Sequence, residues 1–285
     1  MERSEPGEEI RSRHNRWVKW VRSLGSKEER RRQGLTVLEG RVLIEEALTA
    51  GVPLPLVMFR PSWGQDPAGL RLLQRLERTG ARLLGVSQEA LDACAQTNTP
   101  PGILAVARWR EVPFAMASAT APAGELARAT GVLVLLAGVQ DPGNVGTVIR
   151  GAVAAGARGL LLGPGTAEVS SPKTLRATMG TAFRMNCWRL QGWNAVLALK
   201  RCGWRLVAAE VKGGKEPFAV PLSSGAILAL GAEAHGLPAE LSVLADDRVS
   251  IPMPGGAESL NVAMAATILL YEGVRQRWQG DAPGA

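Results

Sequence analysis

Cysteine is scarce in this chain of 285 residues: Cys94, Cys187 and Cys202 are the only three, and they lie far apart. Such a pattern excludes a disulfide framework and points to thiols kept reduced in a cytoplasm. Histidine is scarcer, with His14 and His235 alone, and neither C-x-x-C nor H-x-x-x-H spacing occurs. No metal site is therefore expected. The G-x-S-x-G elbow, the G-x-G-x-x-G fingerprint and the Walker loop are all missing. Their absence argues against a serine hydrolase and against nucleotide-dependent α/β enzymes of other classes. No apolar run approaches the roughly 18 residues that cross a bilayer. The longest, Val132–Val139 and Val262–Tyr271, read as core segments. The opening MERSEPGEEI is acidic and lacks an apolar stretch, which speaks against a signal peptide.

Hydrophobic residues make up 46% and charged residues 21%, the balance of a chain that packs a normal core. The net charge of +7 is localised. Residues 11–32 hold nine basic side chains (Arg11, Arg13, Arg16, Lys19, Arg22, Lys27, Arg30, Arg31 and Arg32) against Glu28 and Glu29, and elsewhere 24 basic residues balance 24 acidic ones. A basic helix interleaved with Trp17 and Trp20 suits a polyanion, because Lys and Arg neutralise phosphates and release counterions. The competing reading is a solvated amphipathic helix whose Trp17, Val21 and Leu24 pack on the domain body. The two are compatible. A membrane-surface helix fits less well, since the apolar face is narrow.

Strand and helix patterns alternate along the chain, the mark of α/β layers with largely parallel sheets. Strands are expected at 35–40, 54–59, 81–86 and 102–108, with helices at 41–51, 67–79 and 88–94 between them. The 67–79 helix carries a Leu70, Leu73, Leu76 stripe. These make a first domain over residues 1–110. Residues 111–128 are rich in Ala, Pro, Ser and Thr and read as a linker. A second α/β domain over 129–285 opens on the buried-type strand GVLVLLAGV. It continues through a helix at 144–156, strands at 159–163, 204–211, 226–231 and 248–253, a helix at 193–202 and a long helix over 259–278.

Three loops of the second domain concentrate unusual residues. DPGNVGTVIRGA (141–152) follows a buried strand and opens a helix, where ligand sites in open sheets lie. Asn144 is a plausible cap there, and Arg150 follows six residues on. LALGAEAHGLPAEL (228–241) passes from a strand through Gly231, Glu233 and Gly236 to Pro238, and a plain strand–turn–helix link is the simpler reading of that segment alone. VSIPMPGGAESLNVAMAATILLYEG (249–273) sets Glu258, Ser259 and Asn261 at the mouth of an apolar helix, next to a glycine-rich turn. Ser259 is the expected cap there.

Together these loops resemble the three signature motifs of the SpoU/TrmH family of RNA ribose 2′-O-methyltransferases, within the SPOUT superfamily. Asn144 through Arg150 match N-x-x-x-x-x-R. Gly231, Glu233, Gly236 and Leu237 match G-x-E-x-x-G-[LI]. Ile251, Pro252, Met253, Gly255 and Ser259–Val262 match I-P-M-x-G…S-L-N-V. SRHNRWVKWVRSL and VLEGRVLIEEAL resemble the family's N-terminal substrate-binding domain, and residues 171–185 its link between the first two motifs.

The resemblance implies a small ribosomal-protein-like α/β domain followed by a SPOUT α/β domain with a trefoil knot. It implies S-adenosylmethionine as cofactor and a homodimer. Leu230, Gly231, Gly236, Ile251, Met253 and Leu260 would hold the cofactor. Arg150, Asn144, Ser259, Asn261 and Glu233 would form the catalytic set. Arg11, Arg13, Arg16, Lys19, Arg30, Arg31 and Arg32 would contact RNA. Large-subunit ribosomal RNA is the favoured substrate. The alternatives are tRNA methylation and a non-catalytic RNA-binding or ribosome-associated protein.

Overall fold

Why the basic N-terminal segment folds as it does is settled by two capping residues. In the computed structural model, which describes residues 9–97, 99–109, 111–114, 126 and 128–280, helix α1 (Arg16–Ser23) starts where Asn15 accepts from the Trp17 amide. Helix α2 (Lys27–Gln33) starts where Ser26 accepts from the Glu29 amide and stops at left-handed Gly34. The single basic helix expected over this stretch is therefore two helices with a turn at Leu24–Ser26.

By backbone contacts the chain forms two compact units, Met1–Arg110 with Ser170–Phe183, and Glu111–Val169 with Arg184–Ala285. Most of the linker expected over 111–128, namely 115–125 and 127, lies outside the described residues.

The first unit holds strands β1 (Leu35–Glu39), β2 (Leu56–Phe59), β3 (Arg82–Gly85) and β4 (Ile103–Arg108) in the order β1-β4-β2-β3. Contrary to the expected parallel arrangement, β4 runs antiparallel to both its neighbours, and only β2 and β3 are parallel. Helices α3 (Arg41–Thr49), α4 (Pro67–Arg78) and α5 (Gln88–Asp92) connect them. On α4 the buried stripe is Gly69, Leu72, Leu73 and Leu76, whereas Leu70 is exposed. Val18 and Val21 of α1, and Leu24 just after it, enter the core with Leu56, Met58, Leu104 and Val106. Trp17 packs edge-on against Trp20 and lies beneath the Arg16 and Arg82 guanidinium groups.

Arg30, expected to meet RNA, is instead buried, and its Nη1 donates to the Leu24 and Gly25 carbonyls. The turn between α1 and α2 needs those acceptors satisfied, and Arg30 does it. Arg30→Ala should cost about 1–3 kcal/mol of stability, since it orphans two carbonyls and a packed stem; a melting curve unchanged from wild type would refute that role.

The second unit is built on seven parallel strands in the order β11-β9-β10-β6-β7-β8-β5. They are β5 (Val112–Pro113), β6 (Val132–Ala137), β7 (Gly159–Leu162), β8 (Cys187–Arg189), β9 (Arg205–Ala209), β10 (Ala226–Gly231) and β11 (Asp247–Val249). All of β6 is buried, as suits a central strand with helices on both faces. β10 inserts between β9 and β6, so the order reverses beside β6 and opens a crevice at the strand ends. Helix α6 (Pro142–Ala154) packs against the long α10 (Val262–Gly280), and Gly151 makes the close approach possible: a Cβ there would lie 2.9 Å from Thr267 Oγ1. Between them in sequence come α7 (Pro172–Thr178), which belongs to the first unit, α8 (Asn194–Arg201) and α9 (Ala239–Leu244). No helix among the described residues is long and apolar enough to cross a membrane.

Burial pushes the Cys94 and Cys187 thiols up to about 12, so neither forms a thiolate at neutral pH. Alkylation of the native protein should therefore label the half-buried Cys202 alone. Mass spectrometry after iodoacetamide treatment checks this, and rapid labelling of Cys187 would contradict it.

Candidate active site

Three strand ends meet at one edge of the second sheet. β10 ends at Gly231 and the chain folds straight back: the Ala232 amide donates to Gly236 O at 3.1 Å, and the Gly236 amide returns the bond at 2.8 Å. Gly236 is left-handed, with φ of 65°. Gly231 must lack a side chain, since a Cβ would sit 2.0 Å from the Gly236 carbonyl carbon. β11 stops at Val249, four residues short of the expected strand end, and residues 250–261 run on as a loop into α10.

These turns and the end of β9 surround a cavity of about 290 Å³. Its floor is apolar, with Leu230, Val249, Val262 and Leu269 buried, and Glu233, Ser259 and Asn261 stand exposed at its rim. All six residues expected at the cofactor line it: Leu230, Gly231, Gly236, Ile251, Met253 and Leu260.

One polar residue from each of the three loops joins a chain that does not include Ser259. Asn261 Oδ1 accepts from the Ala263 amide at 2.9 Å, Asn261 Nδ2 donates to Asn144 Oδ1 at 3.0 Å, and Asn144 Nδ2 donates to Glu233 Oε1 at 2.5 Å. Segments 89 and 117 residues apart in sequence thus converge. Two expected caps move. Asp141, not Asn144, caps α6 by accepting from the Gly143 amide, with Pro142 in the first turn. Asn261, not Ser259, caps α10, which begins at Val262. Asn144 is thereby freed to bridge the other two loops.

Asn261→Ala should cost about 1 kcal/mol, the usual loss of a cap, while Asn261→Ser recovers most of it. Both variants break the bond to Asn144. Both should lose turnover, whereas only the alanine variant melts early; parallel loss of melting temperature and turnover in both would reduce Asn261 to a cap.

Arg150 does not line the cavity. It stands exposed on α6 and makes no hydrogen bond or ion pair with any described residue. Among the cavity residues the sequence did not single out are Ala209, Glu210 and Val211, at the end of β9, and Ala265 on α10. The rule that ligands sit at the carboxyl ends of parallel strands is the signal that finds the first group. Among the described residues no group of His, Cys, Asp or Glu is placed to hold a metal ion.

The second unit is a parallel α/β sheet with an apolar cavity at the ends of β9, β10 and β11, and the comparisons with known proteins assign this fold to the SPOUT methyltransferases. Residues 131–271 match the SpoU rRNA Methylase family and residues 15–105 the MRM3-like substrate binding domain. The 23S rRNA (guanosine(2553)-2′-O)-methyltransferase RlmP of Bacillus subtilis is 35% identical over 92% of this chain and 98% of its own length. The 23S rRNA (uridine(2479)-2′-O)-methyltransferase of Streptomyces viridochromogenes is 31% identical over 98% and 96%. Two solved structures with AdoMet bound share the fold. AviRb from Streptomyces viridochromogenes gives a TM-score of 0.79 at 29% identity, over 93% of this chain and 99% of its own. An rRNA methyltransferase from Sinorhizobium meliloti gives 0.80 at 28%, over 94% and 98%. The chain belongs to the SpoU rRNA methylase family, and its cofactor is S-adenosylmethionine.

The site fits that group. The volume is near the roughly 300 Å³ lower end of small-molecule sites. Leu230, Ile251, Met253 and Leu260 offer aliphatic faces to a flat ring, and the backbone of the bend between Gly231 and Gly236 lies in the same wall, within reach of a ring edge.

Proposed function

We propose that this protein methylates a ribose 2′-hydroxyl in large-subunit ribosomal RNA. The observation that carries the reading is the Glu233–Asn144–Asn261 chain, which draws all three motif loops to the rim of one cavity. The 23S ribosomal RNA named for both relatives supports this substrate over tRNA, as does the matched substrate-binding domain. The cysteine pattern accords with a cytoplasmic enzyme. Insertion of β10 between β9 and β6 accords with a knotted chain.

S-adenosylmethionine supplies an electrophilic methyl carbon on sulfur. The chain's own task is to orient the hydroxyl and tolerate its loss of a proton. A guanidinium is almost never deprotonated, so Arg150 acts as a fixed cation that grips a phosphate and stabilises the developing alkoxide. Asn144, Glu233, Ser259 and Asn261 position the hydroxyl and brace the two loops. A second copy of the chain completes the site. Met264, Ile268 and Tyr271 form an exposed apolar stripe on α10, the helix that packs on α6, which carries Arg150.

RNA meets the exposed cations Arg11, Arg13, Arg16, Lys19, Arg31 and Arg32, of which Arg11 already pairs with Glu9 and Arg32 with Glu29. Substituting Lys19 with Ala should lower RNA affinity at every sequence and reduce the salt slope by about one phosphate contact. Filter binding across a salt series measures this, and an unchanged slope would remove α1 from the RNA surface.

Mapping ribose methylation in RNA from cells with and without the gene tests the whole reading. One 2′-O-methyl mark in 23S RNA should disappear. A mark lost from tRNA instead would favour the alternative substrate, and an unchanged map would contradict both.

A further inference from the structure

One carboxylate in the cavity wall is held in place by side chains that use only half of it. Glu210 follows β9, and its amide is tied to Val249 O at 2.9 Å. Arg248 Nε donates to Glu210 Oε1 at 3.0 Å and Ser242 Oγ donates to the same oxygen at 3.2 Å. Arg248 Nη2 in turn donates to the Ser242 carbonyl at 2.8 Å, which closes a bracket around the carboxylate. A carboxylate accepts about four hydrogen bonds, and Oε2 accepts none from the described residues. Of the other polar side chains in the cavity wall, Glu233 and Asn261 are engaged with Asn144. Glu233 also keeps its Oε2 free of described partners, but it stands exposed at the rim, so Glu210 is the half-buried lining carboxylate that is fixed by two donors and has an oxygen to offer.

We propose that Glu210 Oε2 receives the ribose hydroxyl pair of S-adenosylmethionine, with Arg248 and Ser242 as its positioning residues. This rests on the cavity being the cofactor site. Arg248 already neutralises much of the carboxylate's charge, so a further cation, such as the ligand's ammonium or sulfonium, gains little there. A neutral pair of O–H donors gains a charge-assisted hydrogen bond in a partly dry wall. The bend between Gly231 and Gly236 offers backbone groups to the base, and Glu210 supplies what it lacks: a strong acceptor fixed before the ligand arrives.

Titration calorimetry of the full chain with two probes tests this. The first probe is S-adenosylhomocysteine, and the second is 5′-methylthioadenosine, which keeps the ribose and lacks the amino-acid half. Glu210→Ala and Glu210→Gln should weaken both probes alike, by about ten- to a hundredfold for Ala and less for Gln. The 2′,3′-dideoxy form of methylthioadenosine should bind the wild type and both variants equally. Wild-type affinity in both variants overturns the proposal. Loss confined to S-adenosylhomocysteine overturns it too, since that would place the carboxylate at the amino-acid end. The Gln variant keeps the side chain's size, so a fold lost in Glu210→Ala does not blunt the test. Failure of the wild type to bind S-adenosylhomocysteine would strike at the cofactor site itself, a different outcome from any of these.

Discussion

Arg150→Ala is expected to reduce methyl transfer by about a hundred- to a thousandfold, the loss typical of removing one fixed electrostatic stabiliser. Affinity for S-adenosylhomocysteine should stay within about twofold, because a side chain outside the cavity wall contributes little to the roughly 1.4 kcal/mol that separates tenfold steps in binding. Stability should not change either, since the side chain is exposed and bonded to no described residue. That combination separates Arg150 from the residues that build the site. An unpaired arginine in the middle of α6 contributes nothing visible to the fold, so its function lies in what it meets. Arg150→Lys then separates two forms of the account. A lysine retains the charge and loses the planar fork. Substantial turnover in that variant would mean charge alone suffices; near-complete loss would mean bidentate geometry on phosphate or alkoxide. Full turnover in the alanine variant would remove Arg150 from the mechanism.

Gly231→Ala has the second large effect, and it acts through the fold of the site. The new methyl group would sit 2.0 Å from the Gly236 carbonyl carbon, 2.2 Å from its oxygen and 2.3 Å from the Leu237 nitrogen. All three are backbone atoms, so no rotamer change relieves the clash. The bend at 232–236 must open, which breaks one or both of its paired hydrogen bonds. Overpacking of this kind costs about 1–3 kcal/mol. The functional loss should be larger. Displacing the bend by an ångström misplaces Glu233, hence Asn144 and Asn261, and losses of about a hundredfold follow from misplacement on that scale. Melting temperature, cofactor affinity and turnover should all fall, with turnover falling furthest. Wild-type cofactor affinity in this variant would show that the bend is not part of the cofactor wall.

Much of this was legible in the residues. β6 announces itself as an unbroken apolar run, and β10 likewise, because strands buried on both faces have no polar side to alternate with. The glycines of the second and third motif loops mark backbone that must fold tightly, as Gly231 does. What was not legible has particular causes. Pairing direction is not written in a strand's own pattern, so the antiparallel β4 of the first unit reads like a parallel strand. β5 and β8 span only 112–113 and 187–189, too short for any period to emerge. Composition counts Arg30 as one more cation, yet its guanidinium closes a turn. Cap assignment failed twice for one reason: Asp141 and Ser259, like Asn144 and Asn261, are all good capping types, and only the chain's path decides which is used. Position at the end of β9 marks Glu210 as near a ligand, but nothing local marks its role, which comes from Arg248 and Ser242, more than 30 residues away in sequence.

The central claim is that the three loops form one site for methyl transfer to ribose. Incubation of the protein with methyl-tritiated S-adenosylmethionine and large-subunit ribosomal RNA, followed by alkaline hydrolysis, tests it most directly. A 2′-O-methyl group blocks the neighbouring phosphodiester from alkali, so the account predicts label in an alkali-resistant dinucleotide, formed at least about a hundredfold more slowly with Arg150→Ala. Label released entirely in mononucleotides, or no incorporation by protein that binds the cofactor, would contradict it.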